Sequence, residues 1–354
     1  MVLYFLGFII ANLNIIPADY FPIQDTISTI AIPLALPMML YSCDFKKFSI
    51  KTSLKITIIG VVAVVTMVVA GFLLLHSHLG GGDSEAAVIG GAIAGKCTGG
   101  TPNLAALKVM LEMDNNTFII LNSFDMIICF IYLVFLMSVG IKLARKWLGR
   151  GVYTKEQEVN VDEYTVKNPY KDFAKKSTIV QLLKVLMLTL IIVAASFGIA
   201  TYAKNFDENT FTVVMILTLT TLALLFSLWS EVKTWDKSYD AGMYIIYIFS
   251  IVVASMANLR AIEFEGTLAI VLYQAIAIFG SLFLTILLAK IFKVDGDTTI
   301  ITSNTLINSP IFVPMIAASM KNRDIVIVGV TIGLVGYAVG NYLGFLMYKL
   351  LLIL

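Results

Sequence analysis

Residues 84–113 read SEAAVIGGAIAGKCTGGTPNLAALKVMLEM, and residues 298–320 read TTIITSNTLINSPIFVPMIAASM. Both stretches are largely apolar, but Gly, Pro, Asn, Ser and Thr interrupt each of them near its middle. A helix in lipid must satisfy its own backbone N–H and C=O groups, so a break at membrane depth is tolerated only inside protein or beside a wet cavity. The two stretches therefore predict two broken helices enclosed in a bundle of membrane-spanning helices.

The chain around these stretches has the composition of a membrane protein. Of its 354 residues, 59% are hydrophobic and only 14% are charged, whereas soluble domains are about 25% charged. Runs of about 20 apolar residues, long enough to cross a bilayer, recur along the chain. We predict an all-α integral membrane protein with about nine spanning helices, at residues 2–16, 26–44, 54–76, 117–142, 178–203, 210–229, 241–258, 266–290 and 324–352.

The order of these segments indicates an internal repeat. Spans 26–44 and 241–258 are each followed by a long apolar helix and then by a broken segment. The two broken segments can be aligned at Thr101-Pro102 and Ser309-Pro310. The predicted domains are a first repeat at 1–142 with the broken segment 84–113, a cytoplasmic connector at 143–177, and an extra helix followed by the second repeat at 178–354 with the broken segment 298–320.

The distribution of basic residues indicates how the broken segments sit. If both crossed the membrane, the halves would be parallel, and the basic loops at 45–55 and 143–177 would face opposite sides. Loops rich in Lys and Arg stay on the cytoplasmic side. If both segments are re-entrant hairpins, the loops share one side and the halves become inverted repeats. We therefore predict two re-entrant segments in a multi-pass protein of the cell (inner) membrane, with its N-terminus in the cytoplasm and its C-terminus outside.

Inverted repeats with discontinuous helices are the usual construction of secondary transporters. The N-termini of half-helices offer free N–H groups to anions, and carbonyl groups freed at the breaks bind Na⁺. We predict cation-coupled movement, driven by Na⁺ or H⁺, of a small anionic organic solute. The candidate substrate-binding residues are Lys96, Thr98, Gly99, Gly100, Thr101 and Asn103 in the first broken segment, and Asn304, Thr305, Asn308 and Ser309 in the second.

Asp125 lies inside a predicted span, where an unpaired carboxylate is costly. It is either a coupling-ion site or a structural partner of another group. With Asn122 and Asn341 it forms the candidate coupling-ion set, although Asn341 also fits a packing contact between helices. Lys96 either faces an anionic substrate, pairs with Asp125 or extends into an aqueous vestibule. Apart from a coupling Na⁺ we expect no metal ion and no cofactor.

Motifs for other functions do not appear in the sequence. It contains no nucleotide-binding loop, nucleophile elbow, metalloprotease signature or zinc spacing. We expect no enzymatic activity and no nucleic-acid partner, only the solute and the bilayer. The alternative function is a cation–proton antiporter without an organic substrate, although a larger group of buried acids would be typical of one. A membrane sensor is a further alternative, for which the connector at 143–177 is too short to hold a catalytic domain.

Four short motifs carry a resemblance to a known family. They are IPLALP at 32–37, AGKCTGG at 94–100, Ser303-Asn304, and GYAVGNYLG at 336–344. On these motifs the chain resembles the YjcL-like membrane family, domain of unknown function 819, over essentially its whole length. That family is distantly similar to glutamate–sodium symporters, bile-acid symporters and cation–proton antiporters. The resemblance implies a transport domain that moves against a scaffold domain, an elevator-type alternating-access mechanism and a homodimer, and it implies no particular substrate.

The chain departs from the family pattern in two places. The second hairpin of the family usually carries a Gly-Gly-Pro core, whereas the stretch Leu306-Ile307-Asn308-Ser309-Pro310 keeps only the proline. We therefore expect a different solute, or more side-chain contacts to it. The first span, at 2–16, is short, so we expect the N-terminus to lack a helix that relatives have, the counterpart of span 178–203.

Overall fold

The computed structural model describes residues 6–7, 9–11, 13, 16–17, 20–41, 50–79, 82–151, 173, 175–204, 211–235, 237–256, 264–322 and 325–354. These residues are almost entirely helical, and this part of the chain contains no β-strand. The all-α class predicted from the sequence is confirmed for it.

The helices follow one another as α1 (Phe21–Leu40), α2 (Ile50–Leu75), α3 (Gly82–Gly99), α4 (Thr101–Met110), α5 (Asn115–Phe135), α6 (Ile141–Leu148), α7 (Lys176–Lys204), α8 (Phe211–Ser227), α9 (Ser238–Ala254), α10 (Phe264–Ala275), α11 (Ser281–Ile291), α12 (Gly296–Asn308), α13 (Val313–Met320) and α14 (Ile325–Leu351). Two π-helical turns, Leu136–Gly140 and Ile276–Gly280, join α5 to α6 and α10 to α11. A 3₁₀ turn at Pro310–Phe312 lies between α12 and α13.

Six described helical segments are long and apolar enough to cross a membrane, which supports a multi-pass membrane protein. They are Pro22–Leu40, Leu54–His78, Asn115–Leu148, Lys176–Lys204, Gly266–Ile291 and Val328–Leu351. Helices α8 and α9, at the predicted spans 210–229 and 241–258, have 17 residues each, at the lower end of the spanning range. Residues 2–5, 8, 12, 14 and 15 of the predicted span 2–16 lie outside the described residues. The number of nine spans therefore stays a prediction.

The helix that begins at Asn115 is longer than the predicted span 117–142. A π-helical turn keeps it continuous as far as Leu148, and Gly149, with φ +81°, ends it. The first residues of the predicted connector are therefore helical. Helix α7 begins at Lys176, and residues 152–172 and 174 of the connector lie outside the described part of the chain.

The chain divides into two compact units. Unit 1 consists of Met1–Cys43, Ala105–Asn122 and Asn168–Phe264, and unit 2 consists of Asp44–Leu104, Ser123–Lys167 and Glu265–Leu354. Each unit is therefore built from segments that are distant in the sequence.

Unit 1 is organised around α1, which packs against α7, α8 and α9. Gln24 of α1 donates a hydrogen bond from its side-chain amide to Ser255, which follows α9, at 2.7 Å. At the other end, Tyr41 lies 3.2 Å from the Thr189 hydroxyl of α7, and its ring meets Trp235 edge-on. Buried polar contacts at both ends therefore fix the position of α1 within this unit.

Unit 2 is organised around α14, which contacts α2, α3, α12 and α13. The contacts occur at glycines. Gly336 lies against the carbonyl of Thr98, and a Cβ atom on Gly91 would lie 2.7 Å from the carbonyl oxygen of Gly344. Small residues let helix backbones approach closely in membranes, where burial against lipid gives little driving force. The glycines of α14 therefore bring both broken segments close to its backbone.

Described residues from three segments that the sequence places on one side lie together at one end of unit 2. The Lys55 ammonium donates to the carbonyl of Phe292, and the Lys290 ammonium lies 5.3 Å from the ring centre of Trp147. The backbone N–H of Gly296 donates to the carbonyl of Gly149 at 3.0 Å. Residues 55, 149 and 292 therefore lie at one end of this unit, which agrees with the charge pattern.

The two ends of the second broken segment also lie together at this end. Asp297, in the first turn of α12, accepts hydrogen bonds from Arg145 at 2.6 and 3.1 Å and from Asn322, after α13, at 3.3 Å. Arg145 also donates to the carbonyl of Met320 at 2.7 Å. The chain thus enters and leaves at the same place, and α12 and α13 form a hairpin.

We expect Gly336→Ala to lower the stability of the protein, because the added methyl group would overlap the carbonyl oxygen of Thr98. Overpacking of this kind costs about 1–3 kcal/mol. Thermal unfolding of the purified protein in detergent would measure the loss. Gly198→Ala, on α7, is the matched control, since nothing lies within 4 Å of its Cβ position. Equal unfolding temperatures for the two variants would show that the close approach does not stabilise the fold.

We expect Asp297→Ala to destabilise unit 2 by about 3 kcal/mol, because it leaves Arg145 without its buried partner. The control is Glu231→Ala, which removes an exposed pair with Lys184 worth less than about 1 kcal/mol. Chemical or thermal unfolding, followed by helical circular dichroism, would separate the two variants. A loss for Asp297→Ala no larger than that of the control would contradict a structural role for the pair.

Candidate functional site

The first broken segment changes direction at Gly100. Helix α3 ends at Gly99, Gly100 has φ +73°, and α4 begins at Thr101. The N–H of Gly100 donates to the carbonyl of Lys96 at 2.7 Å, which closes the last turn of α3. Glycine allows this left-handed backbone, and Pro102 lies in the first turn of α4, where no N–H is needed. The break predicted from the sequence is therefore present.

The second broken segment changes direction at Ser309. Helix α12 ends at Asn308, and Ser309 has φ +80° and ψ 160° before the turn at Pro310–Phe312. That backbone conformation is essentially restricted to glycine, and it costs a side-chain-bearing residue about 1–3 kcal/mol. Ser309 is therefore held in a strained conformation, which is typical of functional sites.

The two breaks meet. A Cβ atom placed on Gly100 would lie 3.2 Å from the Cβ atom of Ser309. Both breaks belong to unit 2, and α14 passes beside them, with Gly336 against Thr98 and Gly333 against Pro310. The interrupted ends of the helices around both breaks therefore converge on one region.

Three amide side chains near the breaks leave buried atoms without hydrogen bonds. Asn103 donates from Nδ2 to the carbonyls of Gly336 and Tyr337, both at 3.3 Å, and its Oδ1 has no partner. Asn308 donates to Oδ1 of Asn304 at 3.1 Å, which leaves Asn308 Oδ1 and Asn304 Nδ2 unpaired. A buried polar atom without a partner costs about 1–3 kcal/mol, so these atoms are suited to a bound ion or polar solute.

A buried ion pair lies one turn before the first break. The Lys96 ammonium of α3 is paired with the carboxylate of Asp125 on α5, and the two residues are only 3% and 4% exposed. Lys96 also donates to the sulfur of Cys129 at 2.9 Å, and Cys129 lies 3.6 Å from the same carboxylate. The sequence left three roles open for Lys96. The structure shows one of them, the pairing with Asp125.

The remaining candidates contribute backbone or partly satisfied groups. The hydroxyls of Thr98 and Thr305 donate to carbonyls one turn earlier in their own helices, at 2.9 and 2.7 Å. Gly99 lies against the Asn103 side chain, and Thr101 is half-buried at the start of α4. Their oxygen atoms can still accept a hydrogen bond or coordinate a cation.

The other two members of the predicted coupling-ion set, Asn341 and Asn122, are both buried. Asn341 is fully buried in α14, next to Gly340, which lies against the side chain of Asn103. Asn122 is buried on α5, about one turn before Asp125; the boundary between the two units crosses this helix after Asn122, so Asp125 belongs to unit 2. All the other candidate residues also belong to unit 2.

The sequence reasoning missed two residues of this region. Cys129 contacts both members of the ion pair, and the hydroxyl of Tyr132 lies 2.7 Å from that of Ser303, next to Asn304. Both follow Asp125 at helical spacing, at i+4 and i+7, so one face of α5 carries all three. A helical-wheel reading from Asp125 would have found them.

Comparison with known proteins agrees with the resemblance that the motifs indicate. A family model described as "Protein of unknown function (DUF819)" matches residues 1–354. The chain is 23% identical over 351 residues to "Uncharacterized membrane protein YjcL" of Bacillus subtilis (strain 168), covering 95% of this chain and 85% of that protein. No solved structure matches. The chain therefore belongs to the DUF819 family of membrane proteins.

Proposed function

We propose that this protein is a secondary active transporter in which a cation, Na⁺ or H⁺, drives the movement of a small anionic organic solute. The observation that carries the proposal is the meeting of two helix breaks, at Gly100 and Ser309, within one compact unit. Discontinuous helices that converge in this way expose backbone groups to a bound solute and ion, which continuous helices do not.

The groups around the breaks favour an anionic solute. Helix α4 begins at Thr101, and helix N-termini carry positive partial charge and free N–H groups. The Lys96 ammonium adds a full positive charge one turn away. The unpaired Nδ2 of Asn304 is a further donor on the side of the second break. A carboxylate is the common anion that fits these donors.

Oxygen atoms in the same unit favour a cation. They are the carboxylate of Asp125 and the unpaired amide oxygens of Asn103 and Asn308. Oxygen ligands of this kind, with carbonyls freed at helix breaks, hold Na⁺ in transporters, and a carboxylate alone accepts a proton. The coupling ion is therefore part of the proposal as cargo, and no other cofactor is.

The grouping of the candidate residues supports an elevator-type alternating-access mechanism. In such a mechanism the solute and the ion travel with one body of the protein. All candidate residues except Asn122 belong to unit 2. We propose unit 2 as the transport domain and unit 1 as the scaffold, in a homodimer in the cell membrane. The helix ends that meet at one end of unit 2 carry Lys55, Arg145 and Lys290, which supports a cytoplasmic position for that end.

A cation–proton antiporter without an organic solute is the alternative. The observation that favours it is the Lys96–Asp125 pair, in which a carboxylate and a proton-carrying ammonium are in contact. Vesicles that contain the protein separate the two functions. Proton flux driven by Na⁺ without any organic solute would favour the antiporter.

The solute can be found by thermal-shift screening of the purified protein against carboxylate metabolites, with and without Na⁺. Ligand binding to the native state raises the unfolding temperature by mass action. A carboxylate whose effect depends on Na⁺ or on pH is the solute to use for transport measurements in proteoliposomes.

We expect Asp125→Asn to abolish cation-driven accumulation of that solute, because the variant loses the charge that holds the coupling ion. Asp240→Asn is the matched control, since Asp240 also pairs with a lysine, Lys237, but lies in unit 1. Uptake of radiolabelled solute under an imposed Na⁺ or proton gradient is the measurement. Normal uptake by Asp125→Asn with an unchanged ion dependence would contradict the assigned role.

A further inference from the structure

The Lys96–Asp125 pair is held by few other contacts. Asp125 is paired with one ammonium and lies 3.6 Å from one thiol, and Lys96 contacts that same carboxylate and thiol. In the part of the chain that the structure describes, no third charged side chain pairs with either of them. A thiol is a weak hydrogen-bonding group, so each charge depends on the other for its compensation.

The position of the pair ties it to the break. The carbonyl of Lys96 accepts the hydrogen bond from Gly100 N–H, so the lysine backbone belongs to the turn that ends α3. The lysine side chain is a flexible stem of four carbons, so its ammonium can reach more than one position from a fixed backbone. A solute bound at the meeting point of Gly100 and Ser309 lies within one helical turn of that backbone.

Charge balance then links solute binding to cation binding. A cation cannot bind Asp125 strongly while the Lys96 ammonium occupies the carboxylate, since the two are like charges. The ammonium cannot leave the carboxylate without another anion, because an unpaired buried charge is strongly unfavourable. A solute carboxylate meets this condition, whereas a neutral solute does not.

We propose that Lys96 moves from Asp125 to the carboxylate of the solute, and that Asp125 is thereby released to bind the coupling cation. This inference rests on the proposed function. The solute and the cation then bind together, and neither binds tightly alone. The site is neutral when empty, as ammonium with carboxylate. It is neutral again when it holds one singly charged anion and one singly charged cation.

This exchange of partners also prevents a leak. A cation alone meets an occupied carboxylate, and a solute alone meets an occupied ammonium. The carrier therefore takes up both or neither, which is the condition for strict coupling. The coupling free energy between two ligands is reciprocal, so each ligand must raise the affinity for the other by the same factor.

The test measures thermal stabilisation of the purified protein by Na⁺ and by acetate, a minimal carboxylate, at constant ionic strength with choline and chloride as replacements. For the unmodified protein we expect Na⁺ to lower the apparent Kd of acetate by about 10-fold. A parallel series at decreasing pH, without Na⁺, reports the same coupling if the cation is a proton. Independent binding of acetate, unaffected by either cation, would overturn the proposal.

Two single variants separate the two halves of the exchange. Lys96→Met leaves a bare carboxylate, and we expect it to be stabilised by Na⁺ or by acidification alone and not by acetate. Asp125→Asn leaves a bare ammonium, and we expect it to be stabilised by acetate alone. A Lys96→Met protein that responds to neither cation would contradict the exchange.

The double variant Lys96→Met/Asp125→Asn guards against misfolding of the single variants, because replacing a buried ion pair by neutral groups is often tolerated. We expect it to lose the coupling between acetate and cation, and any coupling that persists in it would overturn the proposal. Cation-driven uptake by the unmodified protein tests the proposed function separately. Uptake without the expected behaviour of the variants would refute the exchange of partners and leave the transporter function intact.

Discussion

Helix α14 can approach the two broken segments closely because glycine stands at the points of contact. Gly336 lies against the carbonyl of Thr98, Gly340 against the side chain of Asn103, and Gly333 against Pro310. A larger residue at any of these positions would push one broken segment away from α14 and the two breaks away from each other. The close approach also gives Asn103 its two carbonyl acceptors on α14, which orient its amide so that Oδ1 remains unpaired. In this unit the close packing and the unpaired amide oxygen of Asn103 therefore have one cause. Three positions of α14 carry glycine and so have no side chain.

The sequence predicted much of this arrangement, because breaks in apolar helices have a clear composition. The positions of both breaks, the hairpin formed by α12 and α13, and the common location of the basic loops follow from glycine, proline and charge. The partner of Lys96 could not be decided, since the contact joins two helices whose relative position depends on packing. The strain at Ser309 was not predictable, because serine gives no local signal for a left-handed backbone.

Two buried acids among the described residues of unit 2, Asp297 and Asp125, differ in how firmly they are held. Asp297 receives both arms of the Arg145 guanidinium and the amide of Asn322, at a fixed geometry. Two parallel hydrogen bonds from a planar guanidinium are stronger and more directional than one from an ammonium. Asp125 has one ammonium, on a flexible side chain, and a thiol. The first arrangement suits a permanent junction at the end of a hairpin. The second suits a contact that can be broken and remade, as the proposed exchange of partners requires.

The π-helical turn at Leu136–Gly140 determines which side of α6 faces the hairpin. A π-helical turn holds one residue more than an α-helical turn, and one residue corresponds to about 100° of rotation around the axis. The angular phase of α6 is therefore shifted relative to that of α5. With this shift Arg145 points toward Asp297, whereas its neighbours Lys146 and Trp147 are exposed. For this reason, a helical wheel drawn from Asp125 gives wrong side-chain directions beyond residue 140. Deletion of one residue from the π-helical turn would bring a different side chain opposite Asp297.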